Sequence, residues 1–155
     1  MTGVQTCALP IWAFAAPSVP ASTGEMRRAL PSKVPHGVAV RAVGRMAQLL
    51  PALASGEGEA IGWAMRDELH VPYRLDRIAG VAGARDAALE AGAWGCTLSG
   101  AGSGLIAAVP PERAEGVARA MAEALRATDP NPEGVVSFTP GVAREGARWG
   151  ALSPG

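Results

Sequence analysis

The 155-residue chain carries fourteen Lys and Arg against fourteen Asp and Glu, with 48% hydrophobic and 18% charged residues. That is enough apolar content for one ordinary core, while the zero net charge and the absence of any basic run longer than Arg27-Arg28 exclude an electrostatic surface for nucleic acid or an anionic membrane. No apolar run reaches the roughly 18 to 20 residues that span a bilayer, and the amino terminus lacks the basic start and small-residue cleavage site of a secretory signal, so a cytoplasmic protein is expected.

Met1 to Ile11 has neither helical nor strand periodicity and resembles a translated sequencing-library adapter running into an insert. Residues 1–11 are therefore expected to be an artefactual or disordered leader, followed by one domain over 12–150 and a tail over 151–155; a genuine amino-terminal strand is the alternative. Setting the leader aside removes Cys7 and leaves Cys96 alone, which excludes a disulfide framework and a metal-ligand cluster and points to a reducing compartment.

Trp12 to Ala16 is a short apolar run closed by Pro17 and Pro20, as a strand bounded by breakers would be. Thr23 is placed to cap a two-turn helix over 24–30 that Pro31 stops. From His36 to Leu53, Ala39, Val43, Met46, Leu50 and Leu53 recur at helical steps opposite Arg41, Arg45 and Gln48, predicting a half-buried helix with the apolar stripe inward. Pro51 is expected to kink or shorten its last turn, and Ser55-Gly56 to end it. Further helices are expected over 57–69, with Pro72 beyond, and over 78–91, with Gly92 in the left-handed region after its end. Trp94 to Leu98 and Leu105 to Val109 read as two strands joined by a glycine-rich loop. Pro111 opens a last helix with Val117, Met121, Ala124 and Leu125 inward. A loose stretch from Asp129 to Gly134 leads to closing strands at Val135 to Phe138 and Ala147 to Trp149. This order predicts an α+β, ferredoxin-like antiparallel sheet with helices on one face.

The segment from Thr97 to Gly104 is the most informative for chemistry. Its glycines let the backbone approach a charged group and turn N–H donors toward an anion such as phosphate, although its spacing fits neither the P-loop nor the dinucleotide fingerprint. Around Leu69 to Arg74 a proline presents an arginine, whose planar guanidinium can grip a carboxylate or phosphate with two parallel bonds; a solvated Arg74 paired with Asp67 or Asp76 is the alternative. His70 reads as a helix-end histidine and His36 as a helix-entry residue. Cys96 reads as a small buried hydrophobe, Trp63 and Met46, Met65 and Met121 as packing, and Asp86 with Glu90 as a solvated acidic pair. No catalytic side chain and no metal ligand is assigned.

Three segments carry a family resemblance over Trp12 to Trp149. Thr23, Arg27, Leu30 and Pro31 stand at the spacing of Thr-x-x-Ala-Arg-x-x-Leu-Pro, and Asp67, Leu69, His70, Pro72, Tyr73 and Arg74 lie close to Asp-x-Leu-His-x-Pro-Tyr-Arg. Thr97 to Gly102 is similar to the third motif of the GHMP small-molecule kinases. Together they resemble the carboxy-terminal domain of homoserine kinases within that superfamily. The resemblance implies transfer of the ATP γ-phosphoryl group to the hydroxyl of L-homoserine in threonine biosynthesis, with Mg²⁺. It implies that Arg74 holds the substrate carboxylate and that Ser99, Gly100, Ala101 and Gly102 line the phosphoryl cleft. The family's ATP-cradling loop, Pro-x-x-x-Gly-Leu-Gly-Ser-Ser-Ala, and its His-x-Asp-Asn segment are absent, so the chain is expected to be inactive alone, with ATP and Mg²⁺ needing an amino-terminal half. A homodimer is left open.

The sequence also departs from the family. Gly102-Ser103-Gly104 replaces Gly-Pro-Ser or Gly-Pro-Thr, which predicts a looser loop; Ala42 stands where asparagine is frequent, and Phe138-Thr139-Pro140 where some members place an arginine. Ser103 fits better the third motif of 4-diphosphocytidyl-methylerythritol kinase, the alternative enzyme; the non-enzymatic alternative is a freestanding ferredoxin-like amino-acid-binding module.

Overall fold

The computed structural model describes residues 11–142. Four strands, β1 (Ile11–Ala16), β2 (Gly95–Leu98), β3 (Leu105–Val109) and β4 (Val136–Phe138), form one sheet in the order β2-β3-β1-β4 with every pairing antiparallel. Six helices intervene: α1 (Thr23–Arg28), α2 (His36–Ser55), α3 (Gly58–Ala64), α4 (Val71–Arg74), α5 (Val81–Glu90) and α6 (Ala114–Arg126). The strand, helix, strand, strand, helix, strand order is ferredoxin-like, as expected. The first strand opens at Ile11, which pairs with Val109, one residue before the expected Trp12. The expected strand at 147–149 lies outside the described residues, as do residues 1–10.

Alternation along the strands builds the core. Ala13 and Ala15 of β1 and Leu105, Ala107 and Val109 of β3 point to one face, where α6 meets them with Val117, Met121 and Leu125 and α5 adds Val81, Ala84 and Ala88. The alanines keep the layers close, which suits a chain poor in aromatics. At the other face α2 and α3 bury Ala52 and Ile61 against Ala108, with Trp12 and Trp94 packed around them, so helical cover extends to part of the second face.

Several local expectations are corrected. Ser22 caps α1 by accepting the Glu25 N–H, which leaves the Thr23 hydroxyl outside the cap. Pro51 lies inside α2 without shortening it, because the helix runs to Ser55 and closes on Gly56 at φ 70°. The helix expected over 57–69 stops at Ala64, since Asp67 takes the backbone N–H groups of Leu69 and His70 with its own carboxylate. Pro72 belongs to the first turn of α4. Gly92 does terminate α5 in the left-handed region, with the Ala93 N–H bonded to Ala88 O and the Gly92 N–H to Leu89 O. The stretch expected to be loose is anchored: the Asp129 carboxylate accepts the Ser18 hydroxyl and N–H and the Asn131 N–H, which hold its pKa below the ordinary aspartate value.

The largest correction concerns α2. Its apolar stripe faces outward, and the buried residues are Arg45 and Ala52. Arg45 can be buried because partners surround its guanidinium: Nη2 donates to Glu68 Oε1 at 2.9 Å, Nη1 donates to the Arg66 carbonyl at 3.1 Å, and the group lies over the Trp63 ring. Arg41 completes the cluster on the other Glu68 oxygen, and bonds from Arg41 and Arg45 hold the Glu68 carboxyl below its ordinary pKa.

Cys96 is a partly buried thiol whose pKa is pushed up to about 12, chiefly by loss of hydration. At pH 8 about one thiol in ten thousand is ionised, so in a Cys7→Ser chain Cys96 should resist a thiol-specific disulfide reagent until the fold is opened. An unfolded thiol ionises near its ordinary value of 9, so Cys96 subtracts stability as pH rises from there toward 12. Rapid labelling of the folded chain at pH 8 would contradict the burial.

Candidate functional site

The loop between β2 and β3 is closed at its base by the Ser99 N–H donating to Gly104 O at 2.8 Å, and tightened by the Gly102 N–H donating to Ser99 O at 3.2 Å. Gly100 and Gly102 adopt φ of 61° and 104°, and a Cβ on Gly102 would also stand 2.7 Å from Ile78 Cδ1. Glycine is required there for both reasons. The N–H groups of Gly100 and Ala101 have no protein partner among the described residues. Ser103 is buried, and its hydroxyl accepts the Ala21 N–H at 3.2 Å. The loop expected to be looser without proline is thus tied to the segment after β1.

Arg74 sits at the end of α4 with only 6% of its surface exposed. Its Nε donates to the Met26 carbonyl of α1 at 3.1 Å and its Nη1 to the Gly100 carbonyl at 3.4 Å. Neither Asp67 nor Asp76 pairs with it; Asp67 instead accepts from His70 Nδ1 at 3.0 Å when the ring carries its proton there. Two of the five guanidinium N–H donors are occupied by carbonyls, leaving the rest for a ligand.

These pieces enclose a cavity of about 290 Å³ lined by Thr23, Arg27, Asp67, His70, Arg74, Leu98, Gly100 and Ala101. The structure therefore brings Arg74, Gly100 and Ala101 together, whereas Ser99 and Gly102 shape the loop without lining the cavity. Thr23 and Arg27 are lining residues not singled out as site residues from sequence. Their four-residue spacing, which stacks them on one face of α1, was the available signal. Two guanidiniums against one carboxylate suit an anion, and a hydroxyl with two free backbone donors suits a small polar ligand.

The model of the carboxy-terminal domain of the GHMP kinases matches residues 49–127. The chain belongs to the GHMP kinase C-terminal family. This GHMP domain is 42% identical over 137 residues to a homoserine kinase of Prochlorococcus marinus (strain MIT 9303), and 41% identical over the same length to one from Synechococcus sp. (strain WH7803). Each alignment covers 87% of the chain and 42% of the relative, so the chain spans less than half the length of these relatives. Among solved structures, a homoserine kinase from Cytophaga hutchinsonii superposes with a TM-score of 0.74 at 28% identity, over 86% of this chain and 41% of that one. Mevalonate kinase of L. major, at 17% identity and a TM-score of 0.57, shares the GHMP fold.

Proposed function

We propose that this chain is the carboxy-terminal part of a homoserine kinase and forms the carboxylate-binding wall of its active site. The observation that carries this reading is the contact of buried Arg74 with the glycine loop inside one small cavity that also holds Arg27 and Thr23. Arg74 and Arg27 pair with the substrate carboxylate, the Thr23 hydroxyl offers a further polar contact, and the free N–H groups of Gly100 and Ala101 face the phosphoryl group. Positioning and charge stabilisation dominate phosphoryl transfer, so such a wall needs no nucleophile or base of its own. The curated homoserine kinases and the Cytophaga hutchinsonii structure support homoserine over the methylerythritol substrate and over a non-catalytic module.

The glycine loop fits the close approach of an ATP phosphate. The described residues do not fit Mg²⁺: among them no group of three or more His, Cys, Asp or Glu converges on one point. The metal and the ATP cradle are both assigned to an amino-terminal half. A cytoplasmic setting accords with the unpaired Cys96, and among the described residues no helix is long and apolar enough to cross a membrane.

The test compares the 155-residue chain with the same chain joined to its upstream coding sequence. ATP-dependent phosphorylation of homoserine, and not of 4-diphosphocytidyl-methylerythritol, is expected from the joined protein, with none from the chain alone. Homoserine turnover that scales with concentration of the isolated chain would refute the division of labour, and activity of the joined protein on the other substrate would refute the assignment.

A further inference from the structure

A second cavity, of about 700 Å³, lies between α3 and α5 and shares only Asp67 with the Arg74 cavity. Its floor is β2, the edge strand of the sheet. One wall carries Trp63, Met65 and Arg66, from α3 and the turn after it, and the other carries Arg85 and Leu89 of α5. Several of these groups have no use in the fold. The Arg66 side chain is exposed and makes no hydrogen bond or ion pair with another described residue, although its carbonyl accepts from Arg45. Arg85 is held only by Asp86, through Nε and Nη2, which leaves Nη1 for another acceptor. Trp63 and Leu89 are each 44% exposed, and Arg45 lies 5.7 Å from the centre of the indole, which fixes that ring as an apolar platform on the wall. The strand adds polar groups. Ser99 N–H bonds inward to Gly104 O, so the alternation of an antiparallel ladder turns the N–H and C=O of Cys96 to the free edge, on the floor of the cavity.

We propose that this cavity is a second binding site and that its ligand is a compact apolar monocarboxylate. The volume is that of a pocket for a small organic molecule. Two guanidiniums, one from each wall, suit a single anionic group, and Trp63, Met65 and Leu89 offer apolar surface that gains by being covered. The other charges of the cavity narrow the choice. Glu59 and Asp67 also line it, and they disfavour a multiply charged phosphate. An α-amino acid fits no better. The Asp67 oxygens already accept from the Leu69 and His70 N–H groups and from His70 Nδ1, so only Glu59 could take an ammonium. Glu59 precedes Arg66 by seven residues, about 10 Å along a helical backbone, whereas the ammonium and carboxylate of an α-amino acid stand on one carbon. The acid therefore lacks an amino group beside its carboxylate.

The test is a titration of the isotopically labelled 15.7 kDa chain with 3-phenylpropionate, followed by two-dimensional amide NMR. Concentrations of roughly 0.1 to 10 mM cover the range in which so small a ligand dissociates. Saturable shifts are expected at the Trp63 indole and at the Arg66, Leu89 and Thr97 amides. The uncharged 3-phenylpropionamide and the amino acid phenylalanine should each bind at least about fivefold more weakly. Arg66→Ala removes one charge-assisted contact and should weaken 3-phenylpropionate about tenfold. Its melting should be unchanged, because the side chain bonds to nothing in the fold. Leu89→Glu, at an exposed position, brings a like charge to the other wall and should weaken the acid as well. Arg119→Ala removes the same charge from an exposed position on α6 and should leave binding intact. Absence of saturable shifts, or shifts centred on Arg27, Arg74 and Gly100 instead, would overturn the proposal. So would equal binding of the amide or of phenylalanine, full affinity in both cavity variants, or loss of binding in Arg119→Ala. The readout is binding alone, so it stands or falls separately from the kinase reading.

Discussion

In a full-length enzyme containing this domain, Arg74→Ala is expected to raise the homoserine requirement about tenfold or more while the ATP requirement stays close to the parent value. Loss of a charge-assisted carboxylate contact removes about 1.5 to 3 kcal/mol. Arg74 also donates to the Met26 and Gly100 carbonyls from a buried position. The alanine variant therefore leaves two acceptors short of a partner and should melt earlier, so a kinetic defect alone would be ambiguous. Arg27→Ala resolves this, because the Arg27 side chain is exposed and makes no hydrogen bond or ion pair with another described residue, yet lines the same cavity. It should raise the homoserine requirement with an unchanged melting temperature. Arg74→Lys should recover only part of the affinity, since an ammonium cannot serve two carbonyls and a carboxylate with the geometry of a planar fork. If Arg27→Ala and Arg74→Ala both left the homoserine dependence untouched, the cavity would not be the substrate site.

The second large effect is on stability and turns on the glycines of the helices. A Cβ at Gly62 in α3 would stand 2.1 Å from the Trp94 carbonyl oxygen, a backbone atom that cannot rotate away. Gly62→Ala must then push α3 off the sheet and is expected to destabilise by about 3 kcal/mol, the upper part of the usual overpacking range. Gly83 in α5 has nothing within 4 Å of the same added atom. Gly83→Ala should stabilise by about 1 kcal/mol, the ordinary helix-propensity gain. Denaturant unfolding of the two variants beside the parent checks both signs. A neutral Gly62→Ala would mean that α3 does not lie against Trp94 as closely as described.

Much of this architecture was legible from breakers and periodicity. Pro17, Gly92 and the glycine loop stand where β1, α5 and the β2–β3 hairpin require them, because these residues act through their own backbone geometry, whereas Pro111 opens a single 3-10 turn, Pro111–Arg113, and α6 itself starts three residues later at Ala114. The α2 orientation was not legible. A stripe of Val43, Met46 and Leu50 marks a face that avoids water without saying what covers it, and an arginine reads as solvent-facing until Glu68, the Arg66 carbonyl and Trp63 are seen to surround it. The site was readable in part for the same reason. The arginine and the loop stood out as residue types, but Thr23 joined the cavity only because Ser22, its neighbour, took over the cap. Which of two adjacent hydroxyls caps a helix is decided by tenths of a kcal/mol in local geometry that residue identity does not encode.

The tethers on the segment between β1 and α1 bear on how the site responds to heat. Ser18 is held by Asp129 at one end of that segment and Ala21 by Ser103 at the other. The six residues from Pro17 to Ser22 lie outside any helix or strand, and freezing such a stretch costs about 1 to 2 kcal/mol per residue. Here that ordering is completed during folding, before any ligand arrives. Ligand affinity is thereby coupled to two hydrogen bonds remote from the ligand. Warming that frees Ser18 or Ala21 would return the entropy to the loop, so binding should fade over a temperature interval in which the sheet and its helices are still intact.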